Sequence, residues 1–148
     1  MQRLVKQGRR NPLIREFTTE LVSGVAPKDF YGEAQTVFQF VQANIRYVQD
    51  INEVETLYTP WNALEKIITF QSVSFDCDDY SVLLASMLES IGHPCRFMAI
   101  SFEGPDDYSH VVIQTKIGDR WITADAAEAN AAFGWEPPGI THWLEWYI

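Results

Sequence analysis

Cysteine is scarce in this chain: two in 148 residues, Cys77 and Cys95. Two thiols cannot frame a disulfide-stapled fold or furnish a zinc ribbon. Long apolar runs are missing as well, and none approaches the ~18–20 residues that a transmembrane helix needs. Arg9, Arg10, Asn11 and Pro12 follow the opening residues at once, so the start lacks a signal peptide's apolar segment. Basic charge is outnumbered, with 11 Lys and Arg against 20 Asp and Glu and a net charge of −9, which argues against a general nucleic-acid binder. No repeat or low-complexity tract occurs. Together these absences predict a soluble protein of a reducing compartment, with no membrane and no nucleic acid as partner.

What is present suits a packed globule. The chain is 47% apolar and 14% aromatic, and its length is that of a single domain spanning 1–148. Charge is placed unevenly. Arg3, Lys6, Arg9, Arg10 and Arg15 oppose only Glu16, leaving about −13 on the remainder. The arm at 1–10 is expected to be a frayed, solvated terminus, with contact to an acidic partner as the lesser reading.

Apolar spacing predicts a helix opened by Asn11-Pro12 and ended by Gly24 and Pro27, and a second from about Asp29 to Ile45. Arg46-Tyr47-Val48 reads as a short extended exit, and Gln49 to Tyr58 as a loop. Thr59 and Pro60 read as the cap and first residue of a helix to Ile68, and Phe70 to Phe75 as a bridge.

The most informative stretch is Ser74 to Pro94. Tyr80, Leu83, Leu84, Met87, Leu88 and Ile91 form a helical stripe, with Asp76 at the N-cap position and Gly92 and Pro94 as stops. Cys77 begins that stripe at the amide-rich helix end, where a thiolate is favoured. Asp76, Asp78 and Asp79 push the other way, so a nucleophilic Cys77 requires a histidine cation beside it. The alternative, a thiol serving as a small buried hydrophobe, stays open on these residues alone.

Beyond Pro94 the period becomes alternating. Cys95 to Phe102 reads as a strand, and Tyr108–Ile117 and Arg120–Ala124 as a hairpin around Gly118-Asp119. Closing that turn pairs Ile117 with Arg120, Lys116 with Trp121, Gln114 with Thr123 and Val112 with Asp125. His110 and Asp125 then share a face as diagonal neighbours, about 7–8 Å apart between the two backbones. A base and its orienting carboxylate need that placement, although Asp125 could equally close a turn.

His93, in a helix-stopping turn, and His142, in the tail, read as structural or surface residues, and Cys95 as core. The three aspartates lack the spacing and glycine of a calcium loop, and no metal is expected. The aromatic tail 135–148 is expected to pack back over the sheet or helices, with docking to a protein partner as the lesser option.

Asp76-Cys77-Asp78-Asp79-Tyr80-Ser81 with Leu83-Leu84, Ile91-Gly92-His93-Pro94-Cys95-Arg96, Tyr108-Ser109-His110-Val111 and Trp121-Ile122-Thr123-Ala124-Asp125 resemble segments of the transglutaminase-like superfamily of papain-type cysteine enzymes. With Phe133-Gly134-Trp135, the likeness is to the compact versions of bacteria and their phages. It covers Gln71 to Phe133, about half the chain.

The resemblance implies an α+β fold, with N-terminal helices and a Cys-bearing helix packed on a small antiparallel sheet. It implies Cys77 as nucleophile, His110 as base and acid, and Asp125 as the residue fixing the imidazole, acting on a peptide or protein amide through a thioester without a cofactor. Relatives often carry a glutamine or tryptophan upstream as oxyanion donor; here Tyr58 and Trp61 are the candidates. The resemblance further implies a bacterial cytoplasmic or virion-associated protein. The rival function is a non-catalytic assembly component, such as a phage particle protein, on the same fold.

Overall fold

Side-chain caps start two of the helices where the sequence places them. Asn11 Oδ1 accepts from the N–H groups of Leu13 at 3.0 Å and Ile14 at 3.4 Å, with Pro12 in the first turn. Asp76 Oδ1 accepts from Asp78 and Asp79, each at 3.0 Å. In a computed structural model, which describes residues 1–47, 58–70 and 73–148, the elements run as follows. The helices are α1 (Gln2–Gly8), α2 (Pro12–Leu21), α3 (Phe30–Asn44), α4 (Pro60–Phe70) and α5 (Cys77–Ser90). The strands are β1 (Ile45–Tyr47), β2 (Val73–Phe75), β3 (Cys95–Ser101), β4 (Tyr108–Ile117), β5 (Arg120–Ala124) and β6 (His142–Tyr147).

The fold is α+β, as expected. An antiparallel sheet ordered β5-β4-β3-β6 packs one face on α5, and β1 pairs with β2 in parallel as a separate two-stranded ribbon. The hairpin register is the predicted one, Ile117↔Arg120, Lys116↔Trp121 and Gln114↔Thr123, with Gly118 at φ +60° opening the turn. Phe97, Val111 and Ile113 face the helices, whereas Met98, Ile100 and Val112 form a smaller apolar cluster with Ile140 on the other face.

α5 differs from its predicted one-sided stripe. Every residue from Asp79 to Leu88 is buried, because α1, α2, α3 and α4 all pack on it opposite β4. Its two buried serines both have hydrogen-bond partners: Ser81 Oγ donates to Val111 O at 3.2 Å and Ser86 Oγ to Val82 O at 2.6 Å.

The N-terminal arm, expected to fray, instead forms α1, with Val5 fully buried against the core and Gly8 in close approach to α4 and α5. An alternation of basic and apolar residues over so short a stretch leaves one apolar side, and that side suffices for docking. The tail folds back as expected but adds a strand: β6 pairs with β3 from Arg96↔Tyr147 to Ser101↔His142. Thr59 does not cap α4 through its side chain; its Oγ1 is buried and unpartnered among the described residues. Of the loop expected over Gln49 to Tyr58, all but Tyr58 lies outside the described residues.

Candidate active site

Three contacts fix the first turn of α5. Asp76 caps it, Tyr80 Oη donates to Ile45 O at 2.7 Å, and Ser81 ties it to Val111, the neighbour of His110 on β4. Cys77, the first residue of α5, is thereby held half-buried at the helix tip beside the sheet. Its sulfur lies 3.9 Å from Asp78 Oδ1.

His110 lies opposite Ile100, next to a break in the β3–β4 register: Ile100 pairs with His110 but Ser101 with Tyr108, so Ser109 is an extra residue. Such a bulge re-aims the side chains around it. His110 Nε2 meets Asp125 Oδ2 at 2.8 Å, and Asp125 is buried just beyond the end of β5. With Nε2 committed to the carboxylate, Nδ1 is the ring nitrogen left for the sulfur. Burial works against a charged His110. Hydrogen bonding to Asp125 and to Cys77, with the charges of both, outweighs it and pushes the pKa from 6.5 up to about 10. His110 is therefore cationic at neutral pH, the condition Cys77 requires. Burial, and then the charge of Asp125, push the Tyr80 phenol up to about 12, so it remains a neutral donor.

The remaining sequence candidates separate. Cys95 is buried, with its thiol pKa raised first by burial and then by Glu89. His93 Nε2 pairs with Glu33 at 2.8 Å in the interior, and His142 is exposed on β6. The Tyr58 ring packs on Phe75 and under Lys66, while its backbone N–H donates to Asp79 Oδ1 at 2.7 Å. Trp61 is half-buried against the core. The buried Asp79, read from the sequence only as one of three charges around the thiol, thus tethers Tyr58 to the Cys77 turn. Among the described residues no group of His, Cys, Asp and Glu is placed to hold a metal, and no helix is long and apolar enough to cross a membrane.

A cavity of about 400 Å³ opens beside the imidazole, lined by His110, Asp125, Glu128, Phe102, Trp135 and the Pro137-Pro138 pair. Most of these wall residues carried no local signal. They belong to loops, and only the packing of those loops brings them to the site.

A thiol on a helix tip, set against an imidazole and a carboxylate from adjacent strands, gives the fold its class, the papain-like α+β proteins. The sequence model of the transglutaminase-like superfamily matches residues 15–126, and the chain belongs to that family. Solved structures share the fold. A candidate cysteine protease from Cytophaga hutchinsonii superposes with a TM-score of 0.59 at 17% identity, over 78% of this chain and 37% of that one. A candidate protease from Parabacteroides distasonis gives 0.62 at 11% identity, over 82% and 25%. The chain thus spans roughly a third and a quarter of these two relatives. LapG of Legionella pneumophila gives 0.55 at 16% identity, over 94% of this chain and 79% of LapG. No curated protein gives a significant match to the sequence.

Proposed function

We propose that this chain is a cysteine-dependent enzyme acting on peptide or carboxamide bonds, with Cys77 as nucleophile, His110 as general base and acid, and Asp125 orienting the imidazole. The observation that carries this reading is His110 itself, bonded through Nε2 to Asp125 at 2.8 Å while also engaged with the Cys77 thiol. With the Cys77 proton held on His110, the sulfur attacks the carbonyl carbon as a thiolate. The C–N bond then breaks as His110 protonates the departing amine, leaving a thioester. Water, or a second amine, gives a proton to His110 as it attacks, and Cys77 leaves as the thiolate, which restores the starting pair.

The Cys77 backbone N–H, at the helix start, is one oxyanion donor, with Tyr58 or Trp61 supplying the second. The substrate is a peptide or protein. Cysteine-protease neighbours sharing the fold support hydrolysis, and the triad serves amide transfer equally.

The test is thiol labelling. A carbonyl-directed electrophile should modify Cys77 far faster than Cys95, which is buried with its pKa raised. Replacing His110 by alanine should abolish that advantage. Equal, slow labelling of both thiols would favour the second reading, a non-catalytic assembly component, such as a phage particle protein. The exposed Trp143, Leu144 and Tyr147 on β6 suit that role.

A further inference from the structure

The cavity beside His110 is built from two segments rich in carboxylates, and the His110 imidazolium on its wall is already paired with Asp125. Residues 102–109 contribute Glu103, Asp106 and Asp107; residues 125–138 contribute Asp125, Glu128 and Glu136; neither contains lysine or arginine. Glu128 lines the cavity itself, together with Phe102 and Trp135, each 37% exposed. Asp125 lines it too, 3% exposed, with its Oδ1 buried and lacking a donor among the described residues. A negative field in a partly enclosed space is concentrated there, since low-dielectric walls focus it.

The walls are held in place. Gln42 Nε2 on α3 donates to Glu128 O at 2.8 Å and to Ala131 O at 2.9 Å. The Phe133 ring packs against Tyr31 and Phe38, and Gly134 N–H donates to Thr123 O at 2.9 Å. The loop bearing Glu128 and Trp135 is therefore anchored at several points along its length. Three kinds of side chain could enter the resulting space. An anionic one meets Glu128, with the His110 cation already neutralised by Asp125; a neutral apolar one covers the aromatic walls and leaves the Glu128 charge unmet. A guanidinium or ammonium satisfies both, stacking on an aromatic face while pairing with a carboxylate, and a planar guanidinium does so best. A volume of about 400 Å³ accommodates one such side chain and its backbone.

We propose that this cavity is a specificity subsite for a basic side chain, arginine foremost, of the peptide bound at Cys77, with Glu128 and Trp135 setting the preference. It rests on the function proposed above only for the bond that is cut, and binding can be read without turnover. The full chain carrying Cys77→Ser is titrated calorimetrically with three N-acetylated, C-amidated tripeptides, Gly-Arg-Gly, Gly-norleucine-Gly and Gly-Glu-Gly. The arginine peptide should bind about tenfold more tightly than the norleucine peptide, the size of one good cation–π or charge contact. The glutamate peptide should bind weakest, and added salt should narrow the spread. Adding Glu128→Gln, a near-isosteric change at an exposed position, should erase most of the arginine preference, and Trp135→Ala should weaken it further.

Equal affinities for the three peptides overturn the subsite, as does an absence of binding by all three at millimolar concentration. An arginine preference that survives both substitutions also overturns it. The two readings fail separately. Slow labelling of Cys77 with the arginine preference intact removes the acyl chemistry and keeps the subsite; fast labelling without the preference does the reverse.

Discussion

His110 must keep a proton where burial alone would strip it, and Asp125 makes the difference. Because its folded pKa of about 10 lies above the ordinary 6.5, its contribution to stability is fully present below about pH 6.5 and is lost as pH rises toward 10. Urea unfolding of the wild type and of His110→Ala, compared at pH 6 and pH 10, should show a stability gap that narrows at the higher pH. A gap of constant size would mean that the imidazole does not hold its charge through that range. Asp125→Asn should move the His110 titration, followed by NMR, downward, since the strongest upward influence on the ring is its bond to that carboxylate. The pairing of His110 with Asp125 was legible in the sequence because a two-residue turn sets the register of the whole hairpin. The bulge at Ser109 was not legible, as one extra residue in β4 leaves the alternation on either side undisturbed.

Among the elements, α5 shows how far local pattern reaches. Its cap, its start at Cys77 and its stop were written in Asp76, the apolar stripe and Gly92. Its burial on every side was not, because its buried polar residues find partners inside the fold: Ser81 and Ser86 bond to backbone carbonyls, and Asp79 accepts from the Tyr58 N–H. α1 closes the wrapping at Gly8, where an added Cβ would lie 2.6 Å from both Pro60 Cγ and Ser86 Oγ. Gly8→Ala should therefore lower the thermal midpoint, at about 1–3 kcal/mol of overpacking, despite alanine's better helix propensity. A variant as stable as the wild type would show that α1 is free to move off the core. Asp76→Ala removes the acceptor for two amides and should cost about 1 kcal/mol in chemical denaturation. Its effect on Cys77 labelling should be larger, because the cap sets where the sulfur sits.

Across the whole molecule, the two ends of the chain meet. Gln2 Nε2 on α1 donates to the Tyr147 carbonyl on β6, and Trp146 stacks on the fully buried Phe97 at 5.5 Å between ring centroids. Trp146 is only half-buried, so Trp146→Ala should cost about 2 kcal/mol, less than a fully buried tryptophan. It should release β6 first, read as faster amide exchange at Phe97 and Ala99 than at Val111. Uniform exchange across β3 and β4 would show that the tail is not a separate unit. β6 also presents Trp143, Leu144 and Tyr147 to solvent on a sheet edge, a surface the apolar composition of the tail announced without revealing its form.

The sequence by itself determined the helix caps, the hairpin register, the helix-tip position of Cys77 and the shared face of His110 and Asp125, since each depends on residues close together along the chain. Its motifs also pointed to the family that the matched residues 15–126 define. Only the tertiary structure decided that α1 is a helix at the core and that the tail becomes β6. It alone set Asp79 inward to hold Tyr58, and gathered Phe102, Glu128 and Trp135 around one cavity. These outcomes depend on contacts between distant segments, and no local spacing encodes which loop will come to rest against which strand.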